Sequence, residues 1–325
     1  MTRTTTARTP ALDPDRFHRE LAASHIVRLS PSTHVDDWER LVAIEVAIRR
    51  REREFVEAER AAIAGIVRNV PTNPNGFIEW FEALARTGPG QGDPLFPWLA
   101  HTATDRQMRW FLSQELAGEA GFDDLVALTQ VKLPPVPKLE LARNYWDEMG
   151  QGHQGGMHGP MLADLARALA LEPLESVAWE SLALGNLMVA LATARHYAYQ
   201  SIGALGVIEL TAPGRAELVN EGLRRLGVGG AARKYYALHA TLDVRHSQTW
   251  NREVILPLIQ DNPAVAVAIA EGALLRLRAG AACFARYRAE LWNDDAVPPS
   301  GARLIERDTG APRAEPALRR VDHLA

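Results

Sequence analysis

The chain has 325 residues, a formal net charge of −4, 47% hydrophobic and 23% charged residues, and a single cysteine, Cys283. That balance argues against a nucleic-acid or membrane-surface partner, and one cysteine excludes an intramolecular disulfide. No apolar segment opens the chain and none is long enough to span a bilayer, so a cytoplasmic protein is expected.

Met1–Pro10 is rich in Thr and Arg and reads as disordered. A first helix is predicted over 14–25, followed by a loop at Ser30–Thr33. Asp36 or Asp37 can cap a long helix reaching Ile66, with Trp38, Leu41, Ile44, Ile48, Phe55 and Val56 as its buried stripe. Its charge run, Arg49 to Glu54, reads as a solvated face. Pro71–Asn75 breaks the chain before a helix with Phe77, Ile78, Trp80 and Phe81, and Thr87–Pro94 is a Gly/Pro loop. A single helix is then expected over 104–130, carrying Glu115 and Glu119 one turn apart, either of which could be a ligand with the other its partner. Pro134, Pro135 and Pro137 turn the chain into a helix over 138–149 that ends at Glu148.

Between Glu148 and His158 lie Gly150, Gly152, Gly155 and Gly156. Four glycines make a continuous helix costly, so the chain should bend and point both side chains into one cavity. Helices follow over 159–169, with Pro160 in the first turn, and over 175–198, which is strongly apolar. Glu209 stands in the apolar run V-I-E-L, where a buried carboxylate must be paired or bound to metal. Pro213 and Gly214 are expected to interrupt the chain, and Gly227, Gly229 and Gly230 to precede a helix from about Ala231. That helix carries His239, Asp243 and His246. Spacings of four and three put two imidazoles and a carboxylate on one stripe, half of a dinuclear iron or manganese site. A last helix is predicted over 264–291, and 293–325 reads as an irregular tail. No strand alternation, Rossmann glycines or phosphate loop appears, so the expected fold class is all-α. No composition shift supports a cut, so 11–292 is expected to form one helical domain with an N-terminal extension over 11–90.

On these residues the chain resembles the haem-oxygenase-like dimetal oxidases, or iron-containing redox enzymes. The family pattern is a carboxylate on the first core helix, a Glu separated by nine residues from a following His on the second, a Glu on the third and H-x3-D-x2-H on the last. The resemblance covers roughly Leu95 to Leu258. It implies a haem-oxygenase-like bundle and a metal-ligand set of Glu119, Glu148, His158, Glu209, His239, Asp243 and His246. Glu119, Glu148 and His158 would hold one side of the site, and Glu209, His239, Asp243 and His246 the other. It further implies two ferrous ions per chain, with manganese the alternative, and dioxygen as co-substrate. The expected reaction is N-oxygenation, desaturation, hydroxylation or C–C cleavage of a small amine, amino acid or carboxylic acid, in natural-product biosynthesis. An external electron donor and a homodimer are compatible with that reading.

Substrate-facing residues are less determined by sequence. Trp146, Met149, Met157, Tyr197, Tyr199 and Tyr235 could line a pocket or fill the core, and Arg195 or Arg245 could meet a substrate carboxylate or lie on the surface. A metal-independent hydrolase of the same shape would place Cys283 in a pocket. A helical iron-binding protein without redox turnover would bind iron without substrate-dependent oxygen use.

Overall fold

A computed structural model of the chain describes residues 13–31, 37–171 and 177–293. The expectations for Met1–Pro10, for the tail beyond Asn293, for the start of the apolar helix at Glu175 and for most of the Ser30–Thr33 loop fall outside these residues. Among the described residues the secondary structure is helical, with one isolated β-bridge between Met149 and Met157. The helices are α1 (Pro14–Leu29), α2 (Trp38–Val67), α3 (Pro74–Thr87), α4 (Leu95–His101), α5 (Asp105–Gly118), α6 (Phe122–Thr129), α7 (Pro135–Glu148) and α8 (His158–Ala168). They continue with α9 (Trp179–Thr193), α10 (Ala198–Arg225), α11 (Lys234–Thr249), α12 (Leu256–Asp261) and α13 (Val265–Leu291). A π-helical stretch, Trp250–Ile255, fuses α11 to α12.

Local chemistry sets many of these starts. Asp37 caps α2 by accepting the Arg40 amide at 3.0 Å, and Asn73 caps α3 through Gly76 at 2.8 Å. Thr104 and Gln107 form a reciprocal capping box on α5. Proline occupies the first turn of α1, α3 and α7, where a missing amide costs nothing.

The bundle is built around α9, α10 and α13. α9 is apolar on all sides and buries Leu187 to Ala192 without a break, as a central helix must. α10 runs against α13 at glycine-only distances. A Cβ on Gly272 would lie 1.7 Å from the Gln200 carbonyl oxygen, and one on Gly203 would lie 1.8 Å from that of Ile269. Gly272→Ala should therefore force these helices apart and destabilise the protein by about 3 kcal/mol, measurable by urea unfolding. The N-terminal helices precede this core, with α1 packed on α9 and α2 on α9 and α13.

Four expectations need correction. The α2 stripe is buried only from Ile48 onward, and Trp38, Leu41 and Ile44 are exposed. Apolar periodicity marks which face is apolar, but not whether another helix covers it. Glu52 is not solvated either: it is buried against His25 and Arg28, both at 2.9 Å, with Arg49 at 3.3 Å. The single helix over 104–130 breaks after Gly118, where Gly121 at φ +74° redirects the chain. Conversely, α10 continues through Pro213 and Gly214. Proline there removes only the amide that would bond to the Glu209 carbonyl, and packing against α11 and α13 holds the helix together.

Candidate metal centre

The chain reverses sharply between α7 and α8, and the reversal sets the geometry of the site. Gly150 and Gly152 adopt φ of +60° and +86°, and a Cβ on Gly150 would sit 2.3 Å from the Gly156 carbonyl carbon. Only glycine fits there, and the Met149–Met157 bridge closes the base of the loop. Glu148 ends α7 and His158 begins α8, so both side chains meet inside the bundle. Glu148 Oε2 lies 2.6 Å from His158 Nδ1, and both residues are buried.

α10 and α11 supply the opposing wall. Glu209 is buried, accepts a hydrogen bond from Asn144 Nδ2 at 2.6 Å and approaches His246 Nδ1 at 3.5 Å. His239 bonds through Nδ1 to the Tyr235 carbonyl at 2.7 Å. A carbonyl can only accept, so Nδ1 carries the proton and Nε2 keeps a free lone pair for a ligand. His246 Nε2 lies 3.1 Å from Asp147 Oδ2, which leaves Nδ1 directed toward Glu209. The rings of His158 and His239 stand edge to face with centroids 4.6 Å apart. Side chains 81 residues apart in sequence are thus in contact.

Two groups of potential ligands result: Glu148, His158 and His239, and Glu148, Glu209 and His246. Within each, one donor atom per residue lies within 4.8 Å of the others, and Glu148 belongs to both. His239 therefore sits with Glu148 and His158, not with Glu209 and His246 as the resemblance implied. Asp243 and Glu119 fall outside these two groups. Asp243 is buried with Oδ1 unpartnered and lines the same cavity. Glu119 follows the last residue of α5, accepts the Gly121 amide at 2.9 Å and turns its accessible surface into that cavity.

The electrostatics suit a bound cation. Burial, then the neighbouring Glu209, push the Glu148 carboxyl up to about 9. Burial and the charges of Glu209 and Glu148 raise that of Asp243 as well. Burial lowers His158 and His239 to about 4. For His246, burial is outweighed by hydrogen bonds and charge from Glu209 and Asp147, which raise it to about 9. Without metal the cluster is a set of carboxylates that repel one another and imidazoles without solvent. His158 Nδ1 and His246 Nδ1 face the carboxylates of Glu148 and Glu209, and Asp243 Oδ1 has no hydrogen-bond partner; all three are ligand atoms that a cation would satisfy. The mixed nitrogen and oxygen donors, buried but for the partly accessible His239, fit a pair of divalent first-row metals.

Six of the seven expected ligands line one internal cavity of about 230 Å³, with Phe96, Phe111, Met188, Tyr235 and Phe284 among its walls. The seventh, His246, faces an outer groove that it shares with Asn144 and Asp147. Of the residues considered for the pocket, Tyr235 lines it. Trp146 is half exposed, and the Tyr197 hydroxyl donates to Glu57 at 2.7 Å. Arg195 bonds the carbonyls of Leu128 and Thr129 at the end of α6, and Arg245 is an exposed partner of Asp147 at 3.5 Å. Cys283 is fully buried and its thiol is pushed up to about 12 by burial, so at neutral pH it is no nucleophile.

Asn144 and Asp147 are functional residues that the sequence reading passed over. They lie four and one residues before Glu148, so one helical turn carries a ligand and both supports of the opposite wall. The N-x2-D-E pattern was the available signal. Asp147→Ala should weaken metal binding about 10- to 100-fold by freeing His246, as measured by competition with a chromophoric chelator.

A family model described as iron-containing redox enzyme matches residues 109–281, just over half of the chain. No curated protein matches it. Among the described residues no helix is long and apolar enough to cross a membrane.

Proposed function

Because this chain belongs to the iron-containing redox enzyme family, whose fold is haem-oxygenase-like, we propose that it is a dimetal oxidase that uses dioxygen to oxidise a small organic substrate. The observation that carries this reading is the pair of largely buried His/carboxylate groups joined by Glu148 on the wall of a partly open cavity. Glu148, His158 and His239 would hold one ion, and Glu148, Glu209 and His246 the other, with Glu119 and Asp243 of the same cavity as further candidate ligands. Two ferrous ions so held, or manganese in their place, would supply dioxygen binding and the electrons for an oxidation.

The chain's own contribution is positional. The Tyr235 carbonyl fixes the His239 tautomer, Asp147 orients His246, and Asn144 holds Glu209. The aromatic and aliphatic walls keep water from the reacting atoms. The reaction is N-oxygenation, desaturation, hydroxylation or C–C cleavage within natural-product biosynthesis in the cytoplasm. The domain that performs it is 11–292, since α1 packs on α9 and α2 on α9 and α13.

Anaerobic titration with ferrous iron, followed by oxygen-uptake measurements over a panel of amines, amino acids and carboxylic acids, tests the proposal. Two equivalents bound and substrate-dependent oxygen use are expected. Saturation at one equivalent would refute the dimetal centre. Iron uptake without oxygen use on any member of the panel would favour a non-redox iron-binding protein.

A further inference from the structure

The cavity carries a second set of charges that the metal centre does not use. Arg215 of α10 and Arg276 of α13 both line it, together with Glu115 of α5. Both guanidinium groups are enclosed by protein, and burial lowers their proton affinity. Several other arginines with restricted solvent access among the described residues have a carboxylate partner. Arg28 meets Glu52 at 2.9 Å, Arg60 meets Glu271 at 2.9 Å and Arg109 meets Asp105 at 2.8 Å. Among the described residues, Arg215 and Arg276 have no carboxylate within ion-pair distance.

What surrounds them holds them in place without neutralising them. Arg215 donates to Thr211 Oγ1 at 3.0 Å and lies over the rings of Phe284 and Phe96, at 5.4 and 5.8 Å from their centroids. Gly280, one turn after Arg276, leaves room for its guanidinium, because a Cβ there would lie 2.8 Å from Nη1. Glu115 feels the charge of both arginines but accepts no hydrogen bond from them and accepts from Tyr287 instead. Glu119, which lines the same cavity, also feels the charge of Arg276 but lies beyond ion-pair distance, so both guanidinium groups lack a bonded anion, and a buried charge so left is costly.

Helix geometry fixes where that deficit lies relative to the metal centre. Ile208, Glu209, Ala212, Arg215, Ala216 and Val219 line the cavity at three- and four-residue spacing, so they form one stripe of α10. Arg215 is six residues beyond Glu209, about 9 Å along the axis at 1.5 Å per residue. The space between is walled largely by apolar side chains. At 230 Å³ it is the volume of about eight water molecules at ~30 Å³ each, which admits only a small molecule.

We propose that Arg215 and Arg276 clamp the carboxylate of the substrate, so that the protein acts on a small monocarboxylic acid at a position several bonds from its acid group. This rests on the dimetal-oxidase reading for the chemistry, but not for the binding. A carboxylate supplies a charged acceptor and matches the planar fork of a guanidinium. Beside Glu115 and Glu119 a monoanion is repelled less than a phosphate dianion.

The test is calorimetric titration of the full chain, metal-free under chelator, with straight-chain carboxylates from butanoate to decanoate. The matching primary amides and alkyl phosphates are titrated in parallel. At least one carboxylate should bind about tenfold or more tightly than its amide. Arg215→Gln and Arg276→Gln should each remove that preference while leaving amide binding unchanged, and Arg215→Lys and Arg276→Lys should restore part of it. No carboxylate preference anywhere in the series, or a preference that survives both glutamine variants, would overturn the proposal. Tighter binding of the phosphate than of the carboxylate of equal length would overturn it too. The wild-type comparison of acid with amide needs no variant, so misfolding of a variant cannot mask the answer. Because no metal or oxygen is present, failure here leaves the iron stoichiometry standing, and failure of iron uptake leaves this result standing.

Discussion

Glu148→Ala is expected to abolish binding of both metal ions, whereas His239→Ala or Glu209→Ala should each cost one. The difference follows from topology of the site. Glu148 is common to both ligand groups, while His239 belongs to one and Glu209 to the other. Loss of an orienting partner outside the coordination sphere already costs about 10- to 100-fold in affinity, and loss of a ligand shared by two ions must cost more at each. The fold itself should survive. In the metal-free protein Glu148 is a buried acid whose carboxyl titrates near 9, so near pH 7 it is neutral and strained by Glu209 beside it. Glu148→Gln keeps the shape and the neutrality, and should leave the thermal midpoint of the chelated protein unchanged or slightly higher while still removing the metal. Metal content by mass spectrometry and thermal unfolding under chelator check both halves. One tightly held equivalent in Glu148→Ala would show that the two groups do not share this residue.

How much of this was legible in the sequence depended on whether the signal was local. The bend between Glu148 and His158 could be read because glycine is the only residue that tolerates the positive φ of Gly150 and its contact with Gly156. The stripe of His239, Asp243 and His246 could be read because helical periodicity is a property of the segment alone, and α11 covers all three. The break between α5 and α6 was hidden, since Gly121 sits among residues that favour helix on both sides. Pro213 misled in the other direction. A local rule predicts a stop, and the packing of α10 against its neighbours overrides it at the cost of one hydrogen bond. Arg215 and Arg276 carried no local signal at all. Their meaning arises from two helices meeting across a cavity, and from the absence of a carboxylate that lies nowhere near them in sequence. The exposed Trp38 makes the same point for packing, because an apolar face needs a partner that its own sequence does not name.

The stabilisation that metal confers should grow steeply as pH rises from 6.5 to 9. Glu148 and Asp243 have folded-state values above their ordinary ones, so the metal-free fold holds protons there that the unfolded chain has released. Their contribution to stability is complete below about pH 4 and is lost as pH rises toward 9 and beyond. His158 and His239, lowered to about 4, act in the opposite sense and add stability as pH rises from 4 to 6.5. These opposing pairs roughly cancel in that range. Above 6.5 the histidine pair has nothing left to add, and His246, raised to about 9, joins the acids in losing stability with pH. The metal-free protein should thus weaken from pH 6.5 to 9. Metal-loaded protein lacks this trend, because ligation requires the same three groups to give up the protons that the unfolded chain has also released. Each displaced proton raises apparent affinity about tenfold per pH unit in that window. Thermal unfolding with excess manganese and with chelator, compared at pH 6, 7, 8 and 9, should show the two midpoints diverging. Titration calorimetry in buffers of different ionisation enthalpy should show proton release on binding at pH 7. Midpoints that stay parallel across that range, with no proton released, would mean that the carboxylates of this cavity are already ionised and that the metal finds a site prepared for it at neutral pH.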